Sequence, residues 1–242
     1  MKQEKPFNPV EHFKNKLIVV EGPDFSTKTT FIKLLSAYLD GLGIEHTKTF
    51  QPGDTSYGEE AKLIRELTKR EDMSEKSSLF LYLYDRIQNN SKIVKPALDA
   101  GKTVISDRWW YSTMAYQWSL PEIQSHFSWD DMVKINKFAC GRLNPNISLY
   151  LMRHSVDIMT QVRKEVDKYD RLDVLRKIKI SAVYEKLFNQ GKLKKVFVIE
   201  NKPEETFKSF LKMEEENAIV SKVREDMTPK EVLQYTKQMN FS

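Results

Sequence analysis

The sequence predicts an α/β protein: a five-stranded parallel sheet, doubly wound, with helices on both faces. Three observations carry that expectation. Five short apolar runs recur along 242 residues, and segments of helical spacing separate them. The first run, Leu17-Ile18-Val19-Val20, reads as a strand covered on both faces, as in a parallel sheet. The first run leads through a short loop into Lys28-Thr29-Thr30 at the start of a helix, and right-handed crossovers then bring every strand's carboxyl end to one edge.

Taken in order, residues 1–15 read as a loosely ordered lead-in. Leu17-Ile18-Val19-Val20 is the first strand, and Phe31, Ile32, Leu34, Leu35, Tyr38 and Leu39 space the first helix up to the stop at Gly41-Leu42-Gly43. A second strand is expected over Glu45–Phe50, closing in the turn Gln51-Pro52-Gly53-Asp54. Glu59–Arg70 has an apolar face of Leu63, Ile64 and Leu67. Ser74–Ala100 is the longest helical segment, with the stripe Leu79, Leu83, Ile87, Val94, Leu98 and a bend or break at Pro96. Strands follow at Thr103–Ser106, Ile147–Leu151 and Val196–Ile199. Helices are expected at Thr113–Trp118, Trp129–Cys140, Val156–Val162, Val174–Phe188 and from Pro203. Thr228-Pro229-Lys230-Glu231 has the form of a capping box, so a terminal helix is expected from Pro229 to about Gln238. The domain reading is a main domain over 16–213 with a helical extension over 214–242.

Composition sets broad bounds. Apolar residues make up 40% and charged residues 30%, the balance of a globular chain. The first sixteen residues carry no apolar run of the signal-peptide kind, and no stretch approaches the ~18 apolar residues of a membrane span. A single cysteine, Cys140, excludes an intramolecular disulfide or a cysteine-cluster zinc site and points to a reducing compartment, the cytoplasm. The net charge of +5 comes from Lys and Arg interleaved with Asp and Glu, not from a basic patch, so it is no argument for nucleic acid.

Residues 22–30 carry the first chemistry. Gly22, Lys28 and Thr29 meet the pattern G-x-x-x-x-G-K-[ST], in which loop N–H groups cradle phosphate, lysine reaches the terminal phosphates and the hydroxyl goes to magnesium. Thr27 stands where the second glycine belongs, a position that wants positive φ or close approach, so a chance Lys-Thr in an ordinary strand-loop-helix stays open. Asp107 ends an apolar strand, as a metal-binding carboxylate or as a helix cap. Asp24, inside a phosphate loop, is either aimed at a second substrate or a turn-forming residue. Tyr82 and Arg86 share a helix face. The basic run Arg163, Lys164, Lys168, Arg171 has no apolar face, which most simply makes it a solvated surface.

Seven stretches together resemble the thymidylate (dTMP) kinases. They are EGPDFSTKTT, TFQPGDT, LFLYLYDRIQ, IVKPALDAG, ISDRWWYSTMAYQ, NPNISLYL and DRLD, in order from about Lys16 to Met213. The resemblance implies a P-loop nucleoside monophosphate kinase fold, ATP as phosphoryl donor with Mg²⁺, dTMP as acceptor, and a homodimer. It implies that Gly22, Pro23, Phe25, Ser26, Thr27, Lys28, Thr29 and Thr30 hold ATP, with Thr29 and Asp107 at the metal. It assigns the acceptor to Asp24 (sugar 3′-hydroxyl), Phe50, Gln51, Pro52, Tyr82 (base stacking), Arg86 (thymine O4), Arg108 (5′-phosphate), Thr113, Tyr116 and Gln117. Lys28, Arg108 and a lid arginine, Arg163 or Arg171 in a lid at about 163–173, would act on the transferring group.

Phe25 and Thr27 replace two loop glycines of the family, Phe50 stands for its arginine before Gln51, and Trp109 follows Asp107-Arg108. These departures suggest a divergent branch, a virus-encoded one among the readings. They leave three rivals: a deoxynucleoside kinase with Glu21 as base, an inactive nucleotide-binding protein, and a nucleic-acid-binding module. The expected acceptor range is dTMP and also dUMP.

Overall fold

The structure is a computed structural model that describes residues 7–24, 26–152, 174–199 and 202–226, with only the backbone of residue 174 and of residues 218–226. All five strands are present and parallel, in the order β2-β3-β1-β4-β5. They are β1 Leu17–Glu21, β2 His46–Phe50, β3 Thr103–Asp107, β4 Ile147–Met152 and β5 Lys194–Phe197. β1 lies between β3 and β4, so chain order reverses on either side of it and its carboxyl end opens into the switch-point crevice.

β1 is buried at all five positions, as its unbroken apolar run requires. Helix α1 (Pro9–Phe13) precedes it, capped by the Asn8 side chain. Phe13 is fully buried and packs at 6.1 Å from Phe210. Residues 9–13 therefore pack onto the domain, contrary to the loose lead-in expected from their polar composition: buried Phe13, the His12–Glu214 pair and the bond from Thr103 Oγ1 to the Phe13 carbonyl hold them.

α2 (Lys28–Gly41) buries Phe31, Leu35 and Leu39 against one face of the sheet and stops where Gly43 takes φ +68°. On that face Ile18, Val20, Leu149 and Leu151 form one core cluster with the carboxyl-terminal helix. The opposite face presents Leu17, Val19, Val104 and Tyr150 to a second cluster.

α3 (Glu60–Lys69) and α4 (Glu75–Asn89) depart from the expected stripes. Ile64, Leu79 and Leu83 are buried, but Leu63 and Ile87 are exposed. Ile87 instead joins Phe80 and Tyr84 on an outward face at i, i+4 and i+7, a second apolar stripe that overlapped the first in sequence. The division expected near Pro96 is a π turn, Asn90–Val94, before α5 (Lys95–Asp99). It takes up the register change that a residue without an N–H imposes. The helix expected at Thr113 starts earlier, as α6 (Trp110–Thr113), and continues as a π turn over Met114–Trp118.

α7 (Pro121–Gln124) and α8 (Trp129–Cys140) follow, and a capping box between Ser128 and Asp131 opens α8. The expected helix over 156–162, the basic run over 163–171 and the terminal helix from 229 lie outside the described residues. α9 (Val174–Asn189) leads to β5, which lies two residues upstream of the expected Val196–Ile199. Its first residues are lysines: Lys194 pairs with Glu214, and Lys195 pairs with Glu185 and lies 4.2 Å from the Phe188 ring. Their stems act as apolar surface while their charges are paired, which hides a strand from a hydrophobicity reading.

α10 (Pro203–Asp226) runs unbroken across residue 213. Glu214 is fully buried and accepts from both His12 and Lys194, so the extension expected from 214 begins inside the domain. No helix among the described residues is long and apolar enough to cross a membrane.

Candidate active site

A cavity of about 1060 Å³ opens at the carboxyl edge of the sheet. Its walls include the loop after β1, the turn after β2, one face of α4, the end of β3 with α6 and its π turn, and Val198, Ile199, Lys202 and Pro203 after β5.

The loop after β1 is built on two positive-φ residues. Gly22 has φ +148°, and a Cβ there would stand 2.6 Å from Ser26 Oγ and 2.8 Å from the Leu151 carbonyl oxygen. Thr27 takes φ +62°, ψ +19°, the left-handed conformation a glycine would supply. A non-glycine residue holds it at a cost of about 1–2 kcal/mol. The Thr27 hydroxyl donates to the Ser26 carbonyl at 2.6 Å, and its own carbonyl accepts the Phe31 N–H that opens α2. The left-handed turn at Thr27 is thus kept despite the substitution.

Lys28 lies inside this loop, its Nζ donating to the carbonyls of Gly22 (3.0 Å) and Pro23 (2.8 Å). Burial lowers its pKa from 10.5 to about 8; Arg108 adds to the shift, and Asp107, Asp24 and Glu21 oppose it. A buried cation ringed by carbonyls is held ready for an anion that would satisfy it better.

Across the cavity Arg108, at φ +72°, continues β3. Its Nη2 donates to Asp24 Oδ1 at 2.7 Å, and its Nη1 donates to the Gly22 carbonyl (3.2 Å) and to Ser112 Oγ (3.1 Å). The Tyr116 hydroxyl donates to Asp24 Oδ2 at 2.8 Å, and the guanidinium stands 5.1 Å from the Tyr116 ring centre. Asp24, Arg108 and Tyr116, far apart in sequence, therefore form one clasp.

Glu21, next to the clasp, is fully buried and is not among the residues lining the cavity. It accepts from the N–H groups of Trp109 (2.7 Å) and Ser112 (3.2 Å), from Ser112 Oγ (2.6 Å) and from the Tyr184 hydroxyl (3.0 Å). Burial raises its pKa, and the hydrogen bond from Ser112 leads the interactions that oppose the rise. Its capacity is spent on positioning the start of α6, beside Arg108.

At the far end Arg86 is buried and donates through Nε to Gln51 Oε1 (3.0 Å), Nη1 to Asn136 Oδ1 (2.9 Å) and Nη2 to Thr113 Oγ1 (3.0 Å). Burial lowers its pKa. Gln51 precedes a cis peptide bond to Pro52 and also donates to Asn89 and Asn90. Half-buried Tyr82 lines the same end, with Gln117.

Asp107 lines the cavity at the end of β3, and its buried Oδ1 has no hydrogen-bond partner among the described residues. Thr29, in the first turn of α2, lines the cavity too. An unsatisfied carboxylate oxygen and a hydroxyl on the same wall fit magnesium, which takes few protein ligands and keeps water and phosphate oxygens.

Of the site residues expected from sequence, Asp24, Ser26, Thr27, Lys28, Thr29, Thr30, Phe50, Gln51, Pro52, Tyr82, Arg86, Asp107, Arg108, Thr113, Tyr116 and Gln117 line this one cavity. Gly22 and Pro23 contribute carbonyls to Lys28 and do not form wall. Phe25, Arg163 and Arg171 lie outside the described residues. Wall residues missed from sequence include Lys33, Lys48, Arg65, Lys69 and Ser112, and also Val198, Ile199 and Lys202. Lys48 had a signal, since it shares a strand face with Phe50.

A parallel sheet in this order, a lysine-bearing loop after its central strand and an arginine-carboxylate clasp facing it define a P-loop nucleoside monophosphate kinase fold. The thymidylate kinase family model matches residues 20–210. The thymidylate kinase of Desulfotalea psychrophila is 33% identical over 168 residues, 67% of this chain and 78% of that protein. That of Fervidobacterium nodosum is 37% identical over 158 residues, 65% of this chain and 74% of that protein. The crystal structure of thymidylate kinase from Ehrlichia chaffeensis superposes with a TM-score of 0.64 at 21% identity, covering 82% of this chain and 97% of that one, a likeness of fold. The chain belongs to the thymidylate kinase family and is a nucleotide-binding transferase.

Proposed function

We propose that the chain transfers the γ-phosphoryl group of ATP to the 5′-phosphate of dTMP, giving dTDP, and accepts dUMP as well. The observation that carries this reading is the pairing, in one cavity, of the Lys28 loop with the Asp24–Arg108–Tyr116 clasp. The clasp places a carboxylate for a sugar hydroxyl beside an arginine fork for a phosphate. Arg86 and Tyr82 line the cavity's far end, where the base would stack on the ring and present its O4 to the guanidinium's remaining N–H donors.

Lys28 would neutralise charge shared between donor and acceptor, with a lid arginine, Arg163 or Arg171, added from about 163–173. Thr29 and Asp107 would hold Mg²⁺, Asp107 through water, and the ion would supply charge neutralisation at the phosphates. The acceptor is already an oxyanion, so positioning and electrostatics suffice and no strong base is required. A deoxynucleoside kinase would need a base for a neutral hydroxyl, and Glu21, the candidate for that role, is buried with its oxygens engaged.

The exposed stripe of Phe80, Tyr84 and Ile87 on α4, with Leu63 on α3, favours a homodimer through this face. A free, buried Cys140 and dependence on ATP fit the cytoplasm. Thymidine and dTMP offered side by side with Mg-ATP test the reading. Turnover of dTMP alone is expected, and preferred turnover of thymidine would replace it with the nucleoside kinase.

A further inference from the structure

Phe50 stands where the family motif has an arginine, and the residue is 39% exposed on the cavity wall. Over that ring lies another arginine. The Arg65 guanidinium, reaching across from α3, is 5.4 Å from the ring centre, and its Nη1 donates to the Pro52 carbonyl at 2.8 Å. Its stem crosses the turn at Gly53, φ +94°, where a Cβ would stand 2.6 Å from Arg65 Cβ and 2.9 Å from Cδ. The absence of a side chain at Gly53 is what opens the path.

Arg65 has no ion pair among the described residues. One of its five N–H donors is fixed on Pro52, which sets the plane of the fork and leaves the others for a ligand. Two other cations of the cavity are partly engaged: Arg108 is paired with Asp24, and Lys28 is ringed by carbonyls. A phosphate dianion brought against a triphosphate is favoured by a further guanidinium, whose fork can bind phosphate oxygens bidentately. Arg65 stacks on an aromatic platform and lines the same cavity, so it can supply that guanidinium.

We propose that Arg65 binds the 5′-phosphate of the acceptor, bringing a guanidinium to the turn where position 50 carries phenylalanine. This rests on the reading of the cavity as the dTMP site. The test compares binding of dTMP and of thymidine, which lacks the phosphate, to the wild type, Arg65→Ala, Arg65→Gln and the double variant Arg65→Ala/Phe50→Arg. Both Arg65 variants should bind dTMP about 10- to 100-fold more weakly, with thymidine affinity within about twofold. The double variant should recover most of the loss, since it returns a guanidinium to the turn. The inference is overturned if dTMP affinity is unchanged in Arg65→Ala and Arg65→Gln, or if dTMP and thymidine weaken together. Should the wild type bind no dTMP, the reading of the cavity falls with it. Should the wild type bind dTMP and the variants bind it equally, only the role of Arg65 falls.

Discussion

Lys28→Met should make the substrate-free protein more stable while abolishing turnover. Lys28 is 8% exposed, and its pKa is lowered from 10.5 to about 8, with burial the leading cause. That displacement corresponds to about 3 kcal/mol of penalty on the charged form, present in full below pH 8. Methionine removes the charge but strips a donor from the Gly22 and Pro23 carbonyls, which returns about 1–2 kcal/mol of the gain. The net expectation is about 1–2 kcal/mol of stabilisation near pH 7.

The pH dependence carries a definite sign. Between about 8 and 10.5 the unfolded chain holds the lysine proton and the folded one does not, so wild-type stability gains from this group as pH rises through that window. Affinity for ATP should move the other way, falling above about pH 8 as the free protein loses the cation. Urea unfolding of both proteins across pH 7–10.5 measures the effect. A difference between them that stays constant with pH, or a variant less stable throughout, would refute the argument that Lys28 is stored as a strained cation.

Arg86→Ala should destabilise the protein by about 3 kcal/mol or more, because it leaves acceptors on Gln51, Asn136 and Thr113 buried without their donor; an unchanged thermal midpoint would contradict this. One of Arg163→Ala and Arg171→Ala should lower kcat by about 10³ or more with dTMP affinity retained, and equal small effects in both would remove the lid arginine from the mechanism. Tyr84→Glu with Ile87→Glu should convert a dimer to a monomer by light scattering while the fold is kept. A wild type that is monomeric at high concentration would dismiss the α4 face.

The sequence made much of the sheet legible because β1 carries an unbroken apolar run, Leu17 to Val20, and β3 and β4 are mostly apolar. β5 was displaced because lysines with paired charges look polar in a one-dimensional reading. The second apolar stripe on α4 was hidden for a related reason, since Ile87 fits two helical faces and only packing chooses one. Residues of the cavity were found where a motif fixed them, as with Asp24, Asp107 and Arg108. Their mutual contacts were not, because the clasp depends on Arg108 taking φ +72°, which no propensity predicts for arginine. Arg65 escaped notice because its role depends on crossing a glycine in a different element.

The most direct test of the account is the rate of ADP formation with Mg-ATP and a panel of nucleoside monophosphates. Arg86 carries only donors, so it suits the O4 carbonyl of thymine or uracil and is left unpaired by the amino group of cytosine. Loss of a hydrogen bond to a charged group corresponds to roughly ten- to 150-fold. The account predicts dTMP and dUMP as the good substrates, dCMP poorer by about that factor, and purine monophosphates excluded by size. Turnover of dCMP equal to that of dTMP would contradict the base-reading role of Arg86, and no turnover of any monophosphate would contradict the assignment of the cavity as a kinase site.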